Sequence, residues 1–457
     1  MKILLVQPAK PERALGGEDF SIFEPLALEY LAAGVAGDHD VRILDMRLDQ
    51  DLDSLLRNYQ PDVVGITSYT VHVNTVKRLF QQIKIFNPDI VTIVGGHHAT
   101  ILPEDFHTPF IDIIVRGEGV IPFREIIVRL ERNKELSDIP GTVCMENGPI
   151  VIHRGDNGID LDAYPFPRRD LTADYRTSYF SEWMRPLASI RTSKGCHFRC
   201  RFCALWKLTG GRYFTRKPER IVEELGTIKE NYIFFSDDES LLDTERMRAL
   251  ADLIKRSGIR KRYFLYGRSD TIARHPELVE QWKEIGLERV FVGLEAIRDA
   301  DLKLIRKGST VENNTRAVQV LKGLEIDIFP MFIVRPEFDK RDFADVRNYC
   351  LGLDFDFIGF SVLTPLPGTD LYNDVKDGLL TSNYDYFDFF HTLLPTTLPV
   401  KDFYRELALL YKRSRSLRNQ IKLMRKYPLR EIPSLFRTYG YLMERLNTLD
   451  RDYTVDS

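Results

Sequence analysis

Thr192-Ser193-Lys194-Gly195-Cys196-His197-Phe198-Arg199-Cys200-Arg201-Phe202-Cys203 is the stretch on which the reading of this chain turns. It holds three of the five cysteines, spaced Cys-x3-Cys-x2-Cys, immediately after an apolar run at 187–192. Three thiolates this close can bind three irons of a cubane cluster and leave the fourth iron without a protein ligand. An open coordination position is where a metal centre meets its substrate, as at catalytic zinc. Structural zinc is the competing reading, but it needs a fourth ligand at comparable spacing. Cys144 and Cys350 are remote in sequence, and His197 adjoins Cys196. Five cysteines in 457 residues make no disulfide framework.

Downstream of the loop, strand and helix patterns alternate. Strands are predicted at 187–192, 232–236, 262–266, 289–293, 327–334 and 357–363, with helices over 217–229, 244–257, 276–285 and 312–324. Six such units exceed a flavodoxin-like sheet and fall short of a closed eight-stranded barrel. The expectation for 186–375 is therefore α/β, an open partial (β/α)6 barrel with functional groups at the strand C-terminal ends.

Upstream, residues 1–132 carry β-branched runs at 3–6, 41–44, 63–66, 91–94 and 111–115, separated by helical patterns near 25–36, 50–58, 73–86 and 121–132. Near-continuous apolar strands with helical crossovers predict a doubly wound, flavodoxin-like parallel sheet. Polar and glycine-rich segments fall at its strand ends: Ser68-Tyr69-Thr70, Gly95-Gly96-His97-His98 and Arg116-Gly117-Glu118-Gly119. Residues 133–185 read as a Pro-stiffened linker, with a small hairpin around Pro140, Gly141, Gly148 and Pro149. The tail, 376–457, reads as helical. It has an aromatic segment at 384–390 and a basic stretch at 412–430 that lacks any acidic residue. That stretch is either a solvated helix face or a surface for anionic lipid head groups.

Lys+Arg 64 against Asp+Glu 67 leaves a net charge of -3, which excludes a global field for nucleic-acid binding. No apolar run approaches membrane-spanning length, and the opening residues lack a signal-peptide core, so a cytoplasmic location is expected.

The cysteine loop resembles that of radical S-adenosylmethionine enzymes, with Phe202 matching the aromatic before the last cysteine. The resemblance implies a [4Fe-4S] cluster on Cys196, Cys200 and Cys203. Its unique iron would bind S-adenosylmethionine, and one electron would release a 5'-deoxyadenosyl radical. It further implies S-adenosylmethionine contacts from Asp237, Asp238 and Glu239 after the second strand, Arg268 after the third and Glu295 at the end of the fourth. The 364–369 segment looks like the Pro-Gly-Thr turn of this branch. The bland alternatives are a helix N-cap cluster for the acidic triplet and ordinary ion pairs for Arg268 and Glu295.

A doubly wound domain ahead of such a core resembles the cobalamin-binding class, and implies cobalamin contacts from Ser68, Thr70, Gly95, Gly96, His97, Gly117 and Glu118. The Asp-x-His-x-x-Gly motif that supplies a lower cobalt ligand is absent after the first strand, so no cobalt ligation is assigned to His97 or His98. The implied activity is cobalamin-dependent radical C-methylation of an unactivated carbon. The tail resembles that of enzymes working on polycyclic lipids, such as hopanoid C-3 methylases. Alternatives are a cyclase or ring-rearranging enzyme that does not methylate, and a non-catalytic cobalamin or iron–sulfur sensor. The expected partners are a small-molecule or lipid substrate and a one-electron reductant such as flavodoxin or ferredoxin. Peripheral contact with the inner membrane face through 412–430 is a further expectation; nucleic acid is not.

Overall fold

The computed structural model describes residues 1–457 except 36, 38, 137, 146–149, 153–158 and 455–457. Its first sheet is built from strands that are apolar on both faces. In β1 (Lys2–Gln7) the four residues Ile3, Leu4, Leu5 and Val6 are all fully buried, as expected where helices cover both sides of a parallel sheet. With β2 (Asp40–Asp45), β3 (Val63–Thr67), β4 (Val91–Gly95) and β5 (Ile113–Val115) it forms a parallel array in the order β2-β1-β3-β4-β5. This is the doubly wound order that opens a ligand crevice beyond the strand ends between β1 and β3. One face packs on Val73, Val76 and Phe80, the other on Leu28, Phe123 and Ile127.

The hairpin expected in the connector lies on the free edge of β5. There β6 (Thr142–Met145) and β7 (Ile150–Ile152) add antiparallel, making seven strands. Part of the segment read as linker is thus sheet, because an unpaired parallel edge leaves backbone donors and acceptors unsatisfied.

The second sheet contains β8 (Leu187–Ile190), β9 (Tyr232–Phe235), β10 (Arg262–Tyr266), β11 (Leu287–Glu295), β12 (Asp327–Val334) and β13 (Gly359–Val362). All six are parallel and paired in sequence order. Between the sheet and its outer helices, Phe235, Tyr263 and Trp282 meet edge-on with centroids 5.5 to 5.8 Å apart. Inside the curve runs an aromatic ladder, Phe234–Tyr266–Phe291–Phe329–Phe357, with successive centroids 4.5 to 5.4 Å apart. The register of β11 against β12 shifts between Gly293 and Glu295, and Glu295 takes φ 62°. Such a bulge re-aims one side chain at the end of a strand.

The tail packs onto the barrel through Phe403, Tyr404 and Leu407 of the helix Val400–Arg413, followed by Leu417–Met424 and Ile432–Leu446. Within it, buried His391 lies 2.8 Å from Asp388 and 3.1 Å from Asp452 through its two ring nitrogens. Asp388 also accepts the Leu15 amide at 2.7 Å, so the clamp joins the tail to the first domain. The two carboxylates outweigh burial and lift His391 to about 9. A folded pKa raised above the usual 6.5 stabilises fully below pH 6.5 and loses that contribution as pH rises towards 9. We expect the melting temperature to fall across that window, by a contribution on the order of 3 kcal/mol, and the fall to vanish in His391→Gln. An identical pH profile in the variant would remove the clamp from the account. Among the described residues, no helix is long and apolar enough to cross a membrane.

Candidate functional site

The cysteine loop is shaped by backbone before any metal enters. Ser193–Gly195 pairs antiparallel with Tyr213–Thr215, and Gly195 sits at φ 93°. A Cβ there would run into the Arg212 carbonyl oxygen and stand 2.8 Å from Thr209 Oγ1. Asp237 braces the loop's entry: one carboxylate oxygen accepts the Thr192 and Ser193 amides at 2.7 and 2.8 Å, the other the Thr192 hydroxyl at 2.5 Å. Asp238 accepts the Gly195 amide at 2.6 Å. A Gly195→Ala variant is expected to carry about 1–3 kcal/mol of strain confined to this loop. Its reconstituted iron content should fall while its far-UV circular dichroism stays that of the parent; unchanged iron content would contradict the argument.

All three thiols line one cavity, with Cys200 buried and the other two partly so. Burial pushes Cys196 to about 11 and Cys203 to about 12, and each also feels the charge of Cys200. The Arg268 guanidinium lies over the Phe198 ring at 3.4 Å and donates to Asp270 at 2.8 Å and to the Lys307 carbonyl at 2.6 Å. Lys307 in turn holds Glu295 at 2.7 Å. The Glu295 carboxylate closes over Gly293, where a Cβ would stand 2.8 Å from Lys307 Nζ. Glu239 is raised to about 7 by burial and accepts the Arg268 amide at 3.2 Å. Sequence reasoning missed Lys307, which lies in no motif; its signal is spatial, a buried cation between Glu295 and Cys200.

Asp237 and Arg268, expected to contact S-adenosylmethionine, line the cavity, and in it Asp237 also braces the cysteine loop while Arg268 bonds Asp270 and the Lys307 carbonyl. Asp238, Glu239, Glu295 and Phe202 face the same cavity.

In the first domain, Thr70 and His97 line the cavity; Ser68, Gly95, Gly96, Gly117 and Glu118 are not part of its wall. Ser68 and Gly96 join strand ends: the Ser68 amide donates to Gly95 at 2.9 Å, and its carbonyl accepts the His98 amide at 3.1 Å. A Cβ on Gly96 (φ 102°) would stand 2.7 Å from the Ser68 nitrogen. The Gly117 amide donates to Thr100 Oγ1 at 2.9 Å. Glu118 pairs with Lys194 and, at 3.2 Å, with Arg191, so it ties the first domain to the cysteine loop; Coulomb attraction claims it, because two cations face it across the domain boundary. His97 meets Tyr69 edge-on at 4.7 Å and is lowered to about 3 by burial and by Lys194 and Arg191, hence neutral. His98 lies 2.8 Å from Asp105, which also accepts from Tyr384 at 2.6 Å. In the aromatic segment, Phe387, Phe389 and Phe390 reach the cavity, whereas Tyr384 and Tyr386 bind neighbours.

The cavity has a volume of about 1540 Å³ and is walled by both domains and the tail. Among the described residues, no three His, Cys, Asp or Glu side chains converge as the ligands of one ion would. Three thiols on one cavity wall suit a cubane, in which each thiolate takes one iron and the fourth iron is left to a ligand.

Residues 12–127 match the B12 binding domain and 190–350 the Radical SAM superfamily. Hopanoid C-3 methylase of Methylococcus capsulatus is 34% identical over 425 residues, spanning 90% of this chain and 81% of that protein. The fold resembles that of OxsB, a cobalamin-dependent S-adenosylmethionine radical enzyme solved with aqua-cobalamin and S-adenosylmethionine bound. That match has TM-score 0.73 and 15% identity, and covers 98% of this chain and 71% of that one. It also resembles the radical S-adenosylmethionine methyltransferase TsrM of Kitasatospora setae, solved with cobalamin and a [4Fe-4S] cluster, at TM-score 0.66 and 20% identity, over 82% and 78% of the two chains.

Fold and site together define a radical S-adenosylmethionine enzyme with an N-terminal B12-binding domain, whose cofactors are a [4Fe-4S] cluster, S-adenosylmethionine and cobalamin. The chain belongs to the family of cobalamin-dependent radical S-adenosylmethionine methyltransferases that includes hopanoid C-3 methylase.

Proposed function

We propose that the enzyme methylates an unactivated carbon of a polycyclic, apolar substrate of the hopanoid type. The observation that carries this reading is the single chamber shared by the cysteine loop, the first-domain residues Tyr69, Thr70 and His97, and an apolar wall of Phe291, Phe329, Phe357 and Leu423. When bound, the cluster with S-adenosylmethionine supplies a hydrogen-abstracting radical, and cobalamin supplies the methyl group. Cys196, Cys200 and Cys203 would hold the cluster, and Asp238, Glu239, Glu295 and Phe202, which line the same cavity, would contact S-adenosylmethionine. Asp237, Arg268 and Lys307 fix the positions of those groups. His97, held neutral, and Thr70 would border the cobalamin. The aromatic walls exclude water from the reacting carbon and hold a rigid ring system by dispersion and burial.

The electron would come from a small one-electron carrier such as flavodoxin or ferredoxin. Delivery of the substrate fits a peripheral membrane contact through 412–430. Leu417 (72% exposed) and Phe436 (59% exposed) both line the cavity and face solvent; exposed Arg418 follows Leu417, and exposed Arg430 lines the same cavity. Apolar side chains framed by cations suit an anionic bilayer surface.

The experiment is incubation of reconstituted enzyme with methyl-deuterated S-adenosylmethionine and a hopanoid-containing lipid extract. Label in a polycyclic product is the expected result. Formation of 5'-deoxyadenosine with no label transferred to any product would assign the chain to ring formation or rearrangement instead.

A further inference from the structure

The chamber's cations are almost all matched. Lys307 meets Glu295, Lys194 and Arg191 meet Glu118, Arg47 meets Asp45, and Lys10 meets Asp19. Arg415 differs. It lines the same cavity, yet among the described residues its side chain has neither an ion pair nor a hydrogen bond. The carboxylates at that end are engaged elsewhere: Glu182 with Arg289, and Glu431 with Arg430 at 3.9 Å. The groups that face Arg415 are the phenols of Tyr411, Tyr427 and Tyr439. Tyr411 is spent on the Phe360 backbone, accepting its amide at 3.1 Å and donating to its carbonyl at 2.5 Å. Tyr427 and Tyr439 line the cavity, and their hydroxyls have no hydrogen-bond partner among the described residues.

A guanidinium taken from water into an apolar wall loses solvation that only an opposite charge restores. Its planar fork matches a carboxylate or phosphate with two parallel bonds, and two phenols beside it add donors for the remaining oxygens. We propose that Arg415, flanked by Tyr427 and Tyr439, is a specificity-determining residue that binds an anionic oxygen group, carboxylate or phosphate, at one end of an otherwise apolar substrate. This rests on the reading of the chamber as the seat of an apolar substrate, and narrows it to an amphiphile with its anion at the tail side. Burial also lowers the pKa of Arg415, the cost that an unmatched guanidinium bears there.

The test uses two probes that share one aromatic body, 1-anilinonaphthalene-8-sulfonate and neutral N-phenyl-1-naphthylamine, titrated by fluorescence into the cluster- and cobalamin-loaded enzyme. The parent is expected to favour the sulfonate by at least about tenfold. Arg415→Gln should abolish that preference with the neutral probe's affinity unchanged, which also reports an intact chamber, and Arg415→Lys should restore part of it. Arg430→Gln should leave the preference as in the parent. Competition by cholate, a polycyclic carboxylate, but not by inorganic phosphate at the same concentration places the anion on an apolar body. Equal affinities in the parent, an undiminished preference in Arg415→Gln, or displacement by phosphate alone overturns the proposal. Failure of the neutral probe to bind at all would count instead against the apolar-substrate reading.

Discussion

A Cys196→Ala, Cys200→Ala, Cys203→Ala variant is expected to purify folded, to hold no iron after anaerobic reconstitution, and to form no 5'-deoxyadenosine. The fold survives because its stability lies elsewhere: the barrel core is Phe235, Tyr263, Trp282 and their neighbours, and the loop is positioned by Gly195, Asp237 and Asp238 through the backbone. Alanine leaves no buried polar group in place of the thiols, so the variant avoids the cost of an unsatisfied atom. What disappears is the donor set, and with it the means of placing S-adenosylmethionine against an electron source. The expected loss of activity is complete, as it is when a metal's protein ligands are all removed. Cleavage of S-adenosylmethionine by this variant would eliminate the mechanism.

The second large effect concerns stability. Arg289, on β11, is fully buried inside the barrel, paired with Glu182 and enclosed by the rings of Trp183, Phe264, Phe329 and Phe357 at 4.6 to 5.4 Å. Its Nε and one terminal nitrogen have no hydrogen-bond partner among the described residues. The Glu182 carboxylate is therefore the main compensation for a desolvated charge, and the ring faces supply the rest. Glu182→Ala is expected to destabilise by about 3–5 kcal/mol, read by chemical denaturation of the cofactor-free chain. Adding Arg289→Met should recover much of the loss, since an apolar side chain of similar length needs no counter-charge. A Glu182→Ala variant within about 0.5 kcal/mol of the parent would mean that the rings alone suffice.

The strand runs were legible because both faces of each parallel strand are covered, so sequence and burial coincide: 3–6, 63–66 and 91–94 fall within β1, β3 and β4. Edges were less so. The run at 111–115 is strand only over Ile113–Val115, since the Ile111 amide closes a turn on the Thr108 carbonyl at 3.2 Å and the Asp112 carboxylate accepts the Thr92 amide at 2.7 Å. The cysteine triplet was readable because its chemistry is local in sequence. The roles of Asp237, Arg268 and Glu118 were not, because each is decided by which distant group faces it: the Thr192 amide, the Phe198 ring, the Lys194 ammonium. Lys307 was invisible for the same reason, and Arg415 showed only as one cation of the basic stretch 412–430. One is defined by a carboxylate twelve positions earlier in the chain, the other by the lack of any carboxylate. In the basic stretch, Lys422 and Lys426 pair with Asp356, which composition alone does not reveal.

The account's central claim is that one chamber brings both cofactors to a single substrate carbon. Its most direct measurement is the product balance of the holoenzyme turning over under reductant with its lipid extract, quantified by mass spectrometry. The account predicts 5'-deoxyadenosine, S-adenosylhomocysteine and methylated product in equal amounts. S-adenosylhomocysteine and methylated product accumulating without 5'-deoxyadenosine would contradict it.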